Sequence, residues 1–412
     1  MRILILNQAF YPDVVATAQH GSDLAIGLKE AGHEIYVIAS ARGYDDPATK
    51  FTSREVWNGI HISRVASFSF GKSSKIGRAA NFASFVAACC LRLTSLPKFD
   101  AVIALTSPPL ISFVAACFKR ITGAKLLYWT MDLNPDEAIA AGWLERDSLV
   151  AKALTAAHRF SLQSADEIVV LDRFMKDRVS SAGARQDRVT IVPPWSHDDV
   201  AFNEREREQF REANGLSGKF VVMYSGNHSP CHPLNTILGA AKILSDDEKI
   251  RFLFVGGGSQ FPVVRDYASR ERLNNILCLP YQPKDKLAGS LSAADVHLVV
   301  MGEPFVGIVH PCKIYNILAI GSPFLYIGPS PSHVTDLVEQ LGGESNCIGS
   351  LRHGEISALV TQIRIASQDG KIIKRTFRTG YSSGRLIPIF VSQIEKLQNK
   401  TQVIEPLTNT VS

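Results

Sequence analysis

Residues 294–328 read ADVHLVVMGEPFVGIVHPCKIYNILAIGSPFLYIG, and their pattern is strand, long loop, helix, strand. Val296, Val299 and Val300 are β-branched within an apolar run interrupted by His297, as a buried parallel strand requires. Residues 301–311 hold too much Gly and Pro to continue that strand. Residues 313–320 carry the next helix, which Gly321 and Pro323 stop, and 324–327 form a second apolar strand. In open parallel sheets, ligands sit outside the carboxyl ends of the strands. A loop there gathers backbone N–H groups at a helix start, and Lys313 adds a cation, which makes a seat for phosphate. An ordinary strand–loop–helix with a surface lysine has the same pattern, so this segment alone leaves both readings open.

The chain has 412 residues, 46% of them hydrophobic, enough for two or more domains with large cores. Charged residues make up 20%, which excludes a disordered chain. The net charge of +5 is modest but uneven: Arg54, Arg64, Lys72, Lys75, Arg78, Arg92 and Lys98 face only Glu55 between residues 54 and 98. That run reads first as a solvated face, and it also suits an anionic membrane surface. Nucleic acid is not expected as a partner. The seven cysteines are scattered, odd in number and without a C-x-x-C pair, so no metal site is signalled and a reducing cytoplasm is expected. Met1 to Asn7 lacks the basic and small-residue flanks of a signal peptide. Residues 79–91 are uncharged but too short to span a membrane, though an interfacial role stays open. Residues 101–118 are long enough, but Pro108 and Pro109 break them into a buried strand, a turn and a helix.

Strands alternate with helical patterns along most of the chain, which predicts an α/β protein with parallel sheets. Strands at 2–6, 34–39, 61–65, 101–105, 124–129, 167–171 and 188–192 form a first sheet, with a tight turn at 57–60. VPPWSHDDVAFNEREREQF then reads as a domain link and a solvated helix. A second series of strands follows in FVVMYSG, IRFLFVGGG, NILCLPY, VHLVV, FLYIG and 346–349. The expected organisation is an N-terminal domain over 1–199, a C-terminal domain over 200–380, and a helix with a polar, disordered end over 381–412. Two doubly wound domains in tandem leave a cleft with both sets of strand ends facing it.

Several residues in that cleft have the chemistry of a site. Gly256, Gly257 and Gly258 do not begin G-x-G-x-x-G, and the next strand ends in Pro280 and Tyr281 with no carboxylate, so a Rossmann dehydrogenase is disfavoured. The glycines read as a tight turn beneath a ligand. In YSGNHSPCHP, Gly226 and Asn227 let the backbone approach a ligand, and His228 and His232 are candidate donors to phosphate oxygens. Pro230 and Pro233 exclude the helix that would align the two histidines on a metal. Asp132, at a strand end, is a candidate acid, base or hydroxyl ligand. Asp136 and Glu137 read as helix-start residues favoured by the dipole.

These pieces, in order, resemble the retaining family 4 glycosyltransferases, in the branch that builds bacterial surface polysaccharides such as colanic acid and O-antigen. The resemblance rests on RILILNQAFYPDVVATAQHGSDLAIGLKEAGHEIYVIA, TSPPL, YWTMDLNPD, VTIVPPW, FVVMYSGN, FLFVGGG, LPYQPKDKL, SAADVHLVV and HPCKIYNILAIGSP, which span nearly the whole chain. It implies the GT-B fold, two Rossmann-like domains facing a cleft. It also implies a nucleotide-diphospho-sugar donor, UDP-linked by expectation, on the second domain. By resemblance, Gly226, Asn227 and His228 lie beside the diphosphate, Gly256 and Gly257 under the donor, and Tyr281 and Gln282 near the base. Lys313 meets the diphosphate, and Gly307 and Ile308 give it backbone N–H groups. Tyr11, Ala16, Thr17 and Gln19 form the acceptor-side loop.

The chain departs from the family's pattern in places. Asn316 stands where many members carry a ribose-binding glutamate, Ile308 stands where its partner would be, and Cys312 replaces the usual serine. Glu303 is the remaining nearby acid and is assigned to a sugar hydroxyl. The usual Arg and Lys pair after the first strand of the second domain is missing, so diphosphate binding rests more on Lys313. The implied reaction is sugar transfer to a hydroxyl with retained configuration, without a metal or other cofactor, catalysed around Lys313 and Asp132. The acceptor is expected to be a sugar or lipid-linked sugar at the inner face of the cell membrane. Two alternatives are a sugar-nucleotide epimerase of the same fold and a non-catalytic donor-binding member of an assembly complex.

Overall fold

The computed structural model describes residues 1–44, 48–68, 75–197, 199–342, 345–368 and 380–402. One sheet holds β1 (Arg2–Leu6), β2 (Glu34–Ser40), β3 (Arg54–Trp57), β4 (Ile60–Val65), β5 (Ala101–Ala104), β6 (Lys125–Trp129), β7 (Glu167–Val170) and β8 (Val189–Ile191). The other holds β9 (Phe220–Asn227), β10 (Ile250–Gly257), β11 (Ile276–Leu279), β12 (Val296–Val300), β13 (Phe324–Ile327) and β14 (Cys347–Leu351). Their orders are β3-β4-β2-β1-β5-β6-β7-β8 and β11-β10-β9-β12-β13-β14. Every pairing is parallel except β3 with β4, which are antiparallel through the turn at Asn58 and Gly59. Helices cover both faces, so the strands are continuous apolar runs: Ile3 to Leu6, Val102 and Ile103, Val299 and Val300 are fully buried.

Each sheet reverses its strand order once. The reversal lies between β1 and β5 in the first and between β9 and β12 in the second. Those switch points open the crevices where such sheets take ligands. The loops beside them are 7–15 and 105–110 in the first domain, and 228–233 and 301–312 in the second.

The domains meet along these loops. Cys231, Phe305, Ile308 and Val309 pack into the apolar core of the first domain. Leu133 N–H donates to Ile308 O at 2.9 Å, and Arg178 Nε to Val306 O at 2.7 Å. Arg173 pairs with Asp336 across the same seam. Gly307 is at φ +69°, and a Cβ there would fall 2.7 Å from the Phe174 backbone, so only glycine lets the loop lie this close. The helix Ser383–Gln402 returns to the first domain, where Phe390 is fully buried with its ring centroid 4.6 Å from that of Trp129. Ile387 sits over Gly27, which leaves it room.

Two expectations need correction. The helix Glu204–Ala213 is not wholly solvated. Arg211 is buried and, with Arg207, hydrogen-bonds Asp295 (2.6 Å for Arg207), pinning the helix to the second domain. The domain link before it is packed, with Trp195 buried and stacked on Trp129. Nor is the basic run one solvated face. Arg64 is buried and bonds Glu55 (2.6 Å), Thr52 O and Tyr11 O, and Arg92 bonds Ser63. Lys72 and the side chains of Lys75 and Arg78 lie outside the described residues, as does the polar end from 403. No described helix is long and apolar enough to cross a membrane.

Candidate active site

The second domain builds its half of the site at the Gly226–Gly256 crossing, where the neighbouring parallel strands β9 and β10 end side by side. Gly226 (φ +124°) and Gly256 (φ +136°) touch there, and a Cβ on Gly256 would lie 2.1 Å from Gly226 O. The glycines thus serve the close approach of two strand ends as well as the turn. Gly257 lies beneath the Tyr281 ring, 2.8 Å from where its Cβ would be. Gln282 is tied back to Pro280 O at 2.9 Å, and Asn227 is exposed at the rim of the crossing.

Lys313 begins the helix Lys313–Ala319 and reaches over this crossing. Its Nζ lies 3.4 Å from the centroid of the Tyr224 ring. A Cβ on Gly226 would approach it to 3.3 Å. The amine is enclosed and has no hydrogen-bond partner. Burial holds its pKa well below the ordinary lysine range. A bound anion would supply the missing partner and restore the charge.

The two histidines take a different role from the one expected. His228 is fully buried, with Nδ1 2.9 Å from Gly226 O and 3.2 Å from Gly257 O. Carbonyls only accept, so Nδ1 carries the proton and Nε2 is a lone pair that cannot donate to phosphate. Burial and then Lys313 push its pKa down to about 4. His232 is held likewise, Nδ1 to Val300 O at 2.8 Å, with its pKa pushed down to about 3 by burial. Both are neutral rings: His228 braces the crossing, and His232 braces the end of β12.

The loop after β12 is also more committed than expected. Ile308 N–H donates to Phe305 O at 2.9 Å, so it is not free for a donor, and Gly307 serves domain contact. Glu303 is exposed in the turn Glu303–Phe305. Asn316 Oδ1 accepts the His197 N–H at 3.3 Å, which ties this helix to the chain between the domains.

The first domain contributes carboxyls. Asp132 follows β6, and its pKa is pushed up to about 8 by burial and then by Glu137. Burial raises Glu137 as well, and the Cys231 thiol donates to its Oε1 at 3.5 Å. Glu137 therefore points into the domain seam, a role its place at a helix start concealed. Burial and then the charge of Asp132 push the Cys312 thiol, on the residue preceding Lys313, up to about 12. Beside the same loop lies an apolar hollow lined by Leu105, Pro108, Leu110, Tyr128, Pro135 and Leu154. On the other side of the β1–β5 switch point, Tyr11 stacks on Trp57 at 4.1 Å. Ala16 and Thr17 open the helix Ala16–Glu30, and Gln19 Nε2 donates to Val14 O at 2.6 Å.

Residues 16–195 match the glycosyl transferase 4-like domain. The first domain is thus a glycosyl transferase 4-like domain. Over 380 residues it is 23% identical to the putative colanic acid biosynthesis glycosyl transferase WcaI of Escherichia coli (strain K12), covering 89% of this chain and 92% of that one. It is 25% identical to the probable glycosyltransferase WbjE of Pseudomonas aeruginosa over 287 residues, 68% of this chain and 71% of that one. The fold of the chain is shared with Anabaena HepE, solved with UDP-glucose, at a TM-score of 0.65 and 14% identity over 98% of this chain and 100% of that one. Sucrose-phosphate synthase of Thermosynechococcus elongatus matches at a TM-score of 0.70 and 12% identity, with the same coverage. The architecture is thus GT-B, two parallel-sheet Rossmann-like domains around a cleft, as the sequence led us to expect.

Proposed function

We propose that this glycosyltransferase transfers a sugar, with retained configuration, from a UDP-sugar to a hydroxyl acceptor in surface-polysaccharide assembly. The observation that carries this reading is the enclosed, partnerless amine of Lys313 at the β9–β12 switch point. The diphosphate lies against Lys313 and the Gly226–Gly256 crossing, and the base lies toward Tyr281 and Gln282. Charge grows on the leaving diphosphate as the glycosidic bond breaks, and Lys313 stabilises it there. The acceptor hydroxyl attacks from the same face, and its proton passes to the departing phosphate oxygen. Asp132, whose carboxyl is pushed up by burial and then by Glu137, and Glu137, raised by burial, bind acceptor hydroxyls from the first domain. The hollow beside them receives an apolar part of the acceptor, which suits a lipid-linked sugar at a membrane face and a protein peripheral to it. The WcaI and WbjE likenesses support a polysaccharide product, and the HepE complex supports a UDP-linked donor.

A thermal-shift titration with UDP, GDP and their sugars tests the reading. A ligand binding only the folded state at a hundred times its Kd adds about 2.7 kcal/mol of stability. A rise with UDP compounds is expected. No rise with any nucleotide sugar would refute the assigned donor site, and a covalent sugar adduct on Asp132 would overturn the same-face mechanism.

A further inference from the structure

A second constellation lies in the domain seam, apart from Lys313. Asp172 follows β7 in the first domain, His310 ends the loop after β12, and His333 opens the helix His333–Leu341 after β13. Their donor atoms all lie within 4.8 Å of one another, and all three side chains are buried. Asp172 Oδ2 is 2.8 Å from His310 Nδ1 and 4.0 Å from His333 Nδ1. The rings of His310 and His333 stack with centroids 3.9 Å apart.

The hydrogen bonding of this cluster is incomplete. His333 is 5% exposed, yet neither of its ring nitrogens has a partner. A neutral imidazole carries one donor and one acceptor, and burying both without partners is costly. His310 is oriented from behind, because its Nε2 lies 2.8 Å from the Tyr315 hydroxyl, which can accept as readily as donate. Asp172 is fixed through its other oxygen, Oδ1, which accepts the Met175 N–H at 2.8 Å. A carboxylate and imidazoles with such outer partners form the ligand set of a first-row divalent ion.

We propose that Asp172, His310 and His333 bind one zinc-class divalent ion that clasps the two domains together. Two imidazoles and one carboxylate select such an ion over Mg²⁺ or Ca²⁺, which take oxygen ligands. With the ion in place, the His310 proton sits on Nε2 and points at the Tyr315 hydroxyl, and Nδ1 faces the metal. His333 gains the partner that it lacks. One ligand comes from the first domain and two from the second, so the ion resists their separation. A related group, His20, Asp23 and His197, lies elsewhere in the seam. There Asp23 Oδ2 is already shared by His197 Nδ1 at 2.9 Å and Trp195 Nε1 at 3.1 Å. That group serves as the control.

The test uses the full chain, freed of metal by a chelator and titrated with ZnCl₂ against a competing chromophoric chelator. One equivalent of zinc is expected, undisplaced by millimolar MgCl₂. Affinity should fall at least tenfold in H333Q and in D172N, which keeps the helix cap, and be unchanged in H20Q. In H333C, a thiolate replaces the imidazole and binding should be retained. Zinc should also raise the melting temperature of the native chain and leave that of H333Q unchanged, which separates ligation from a folding defect. No stoichiometric zinc, equal zinc affinity in H333Q, or loss of zinc in H20Q alone would overturn the proposal. Each of those results would leave the transferase reading untouched, because none involves the nucleotide.

Discussion

Replacing Lys313 by methionine should stabilise the free protein and weaken donor binding at once. Methionine keeps the aliphatic stem that lies over Gly226 and the Tyr224 ring and removes the enclosed, partnerless amine. An unsatisfied buried donor costs about 1–3 kcal/mol. Because burial holds the pKa of the amine well down, its contact with the Tyr224 ring carries little cation–ring attraction to lose. The net gain is at least about 1 kcal/mol, or roughly 2–4 °C in melting temperature for a domain of this size. Against the ligand the sign reverses. A hydrogen bond from an ammonium to a phosphate oxygen contributes about 1.5–3 kcal/mol, which is roughly a ten- to hundredfold change in Kd for UDP. Calorimetry measures both quantities and one more. Because burial holds the amine's pKa well below the lysine range, an arriving diphosphate raises it, and the native protein takes up a proton on binding UDP. Titrations in two buffers of different ionisation enthalpy should reveal that uptake in the native chain and none in K313M. A variant that melts lower while binding UDP as tightly as the native chain would refute the reasoning, because Lys313 would then be structural.

Three further outcomes are expected. Asp132 holds its proton up to about pH 8 when folded, against an ordinary value of 3.8, so the folded state binds a proton that the unfolded chain releases between those values. Stability therefore falls as pH rises through that window, by at most about 1.4 kcal/mol per pH unit. D132N should gain on the native chain in urea melts from pH 5 to pH 8, and a constant difference would count against the protonated carboxyl. Gly256→Ala puts a Cβ 2.1 Å from Gly226 O at φ +136°, so it should cost more than about 3 kcal/mol or abolish folding. An alanine variant with native stability would show that the crossing is not tight. Replacing Lys72, Lys75 and Arg78 with glutamine should reduce flotation with anionic vesicles at low salt, each charge contributing about 1 kcal/mol at such a surface. Unchanged flotation would remove this stretch from the membrane face.

What the sequence reveals about this fold depends on how local each signal is. β12 was legible to the residue, because a strand buried on both faces is a continuous apolar run and Pro and Gly bound it. β3 was harder: REVW is an edge strand with alternating exposure, and a turn at 57–60 was its clearest sign. Lys313 is legible as a candidate because a strand–loop–helix with a cation at its start is a pattern within a few residues. The seam contact of Glu137 is not legible in this way, since it depends on Cys231, 94 positions away. The direction of the His228 proton is hidden for a similar reason. The sequence places a histidine at a strand end, but only the Gly226–Gly256 crossing determines that its proton points inward to Gly226 O and Gly257 O.

The seam between the domains carries the same lesson further. Asp172 and His310 are 138 residues apart, and no spacing rule connects them. Their joint burial follows from the strand order, which puts the end of β7 opposite the loops after β12 and β13. A GT-B protein must keep this seam closed enough to exclude water and loose enough to admit a donor. Polar groups buried there without complete hydrogen bonding, at Lys313 and at His333, cost stability in the free protein, and a bound partner recovers it. Both are therefore best probed by adding what they lack. An anion at the first and a metal at the second should each tighten a structure that, without them, is less stable than its packing permits.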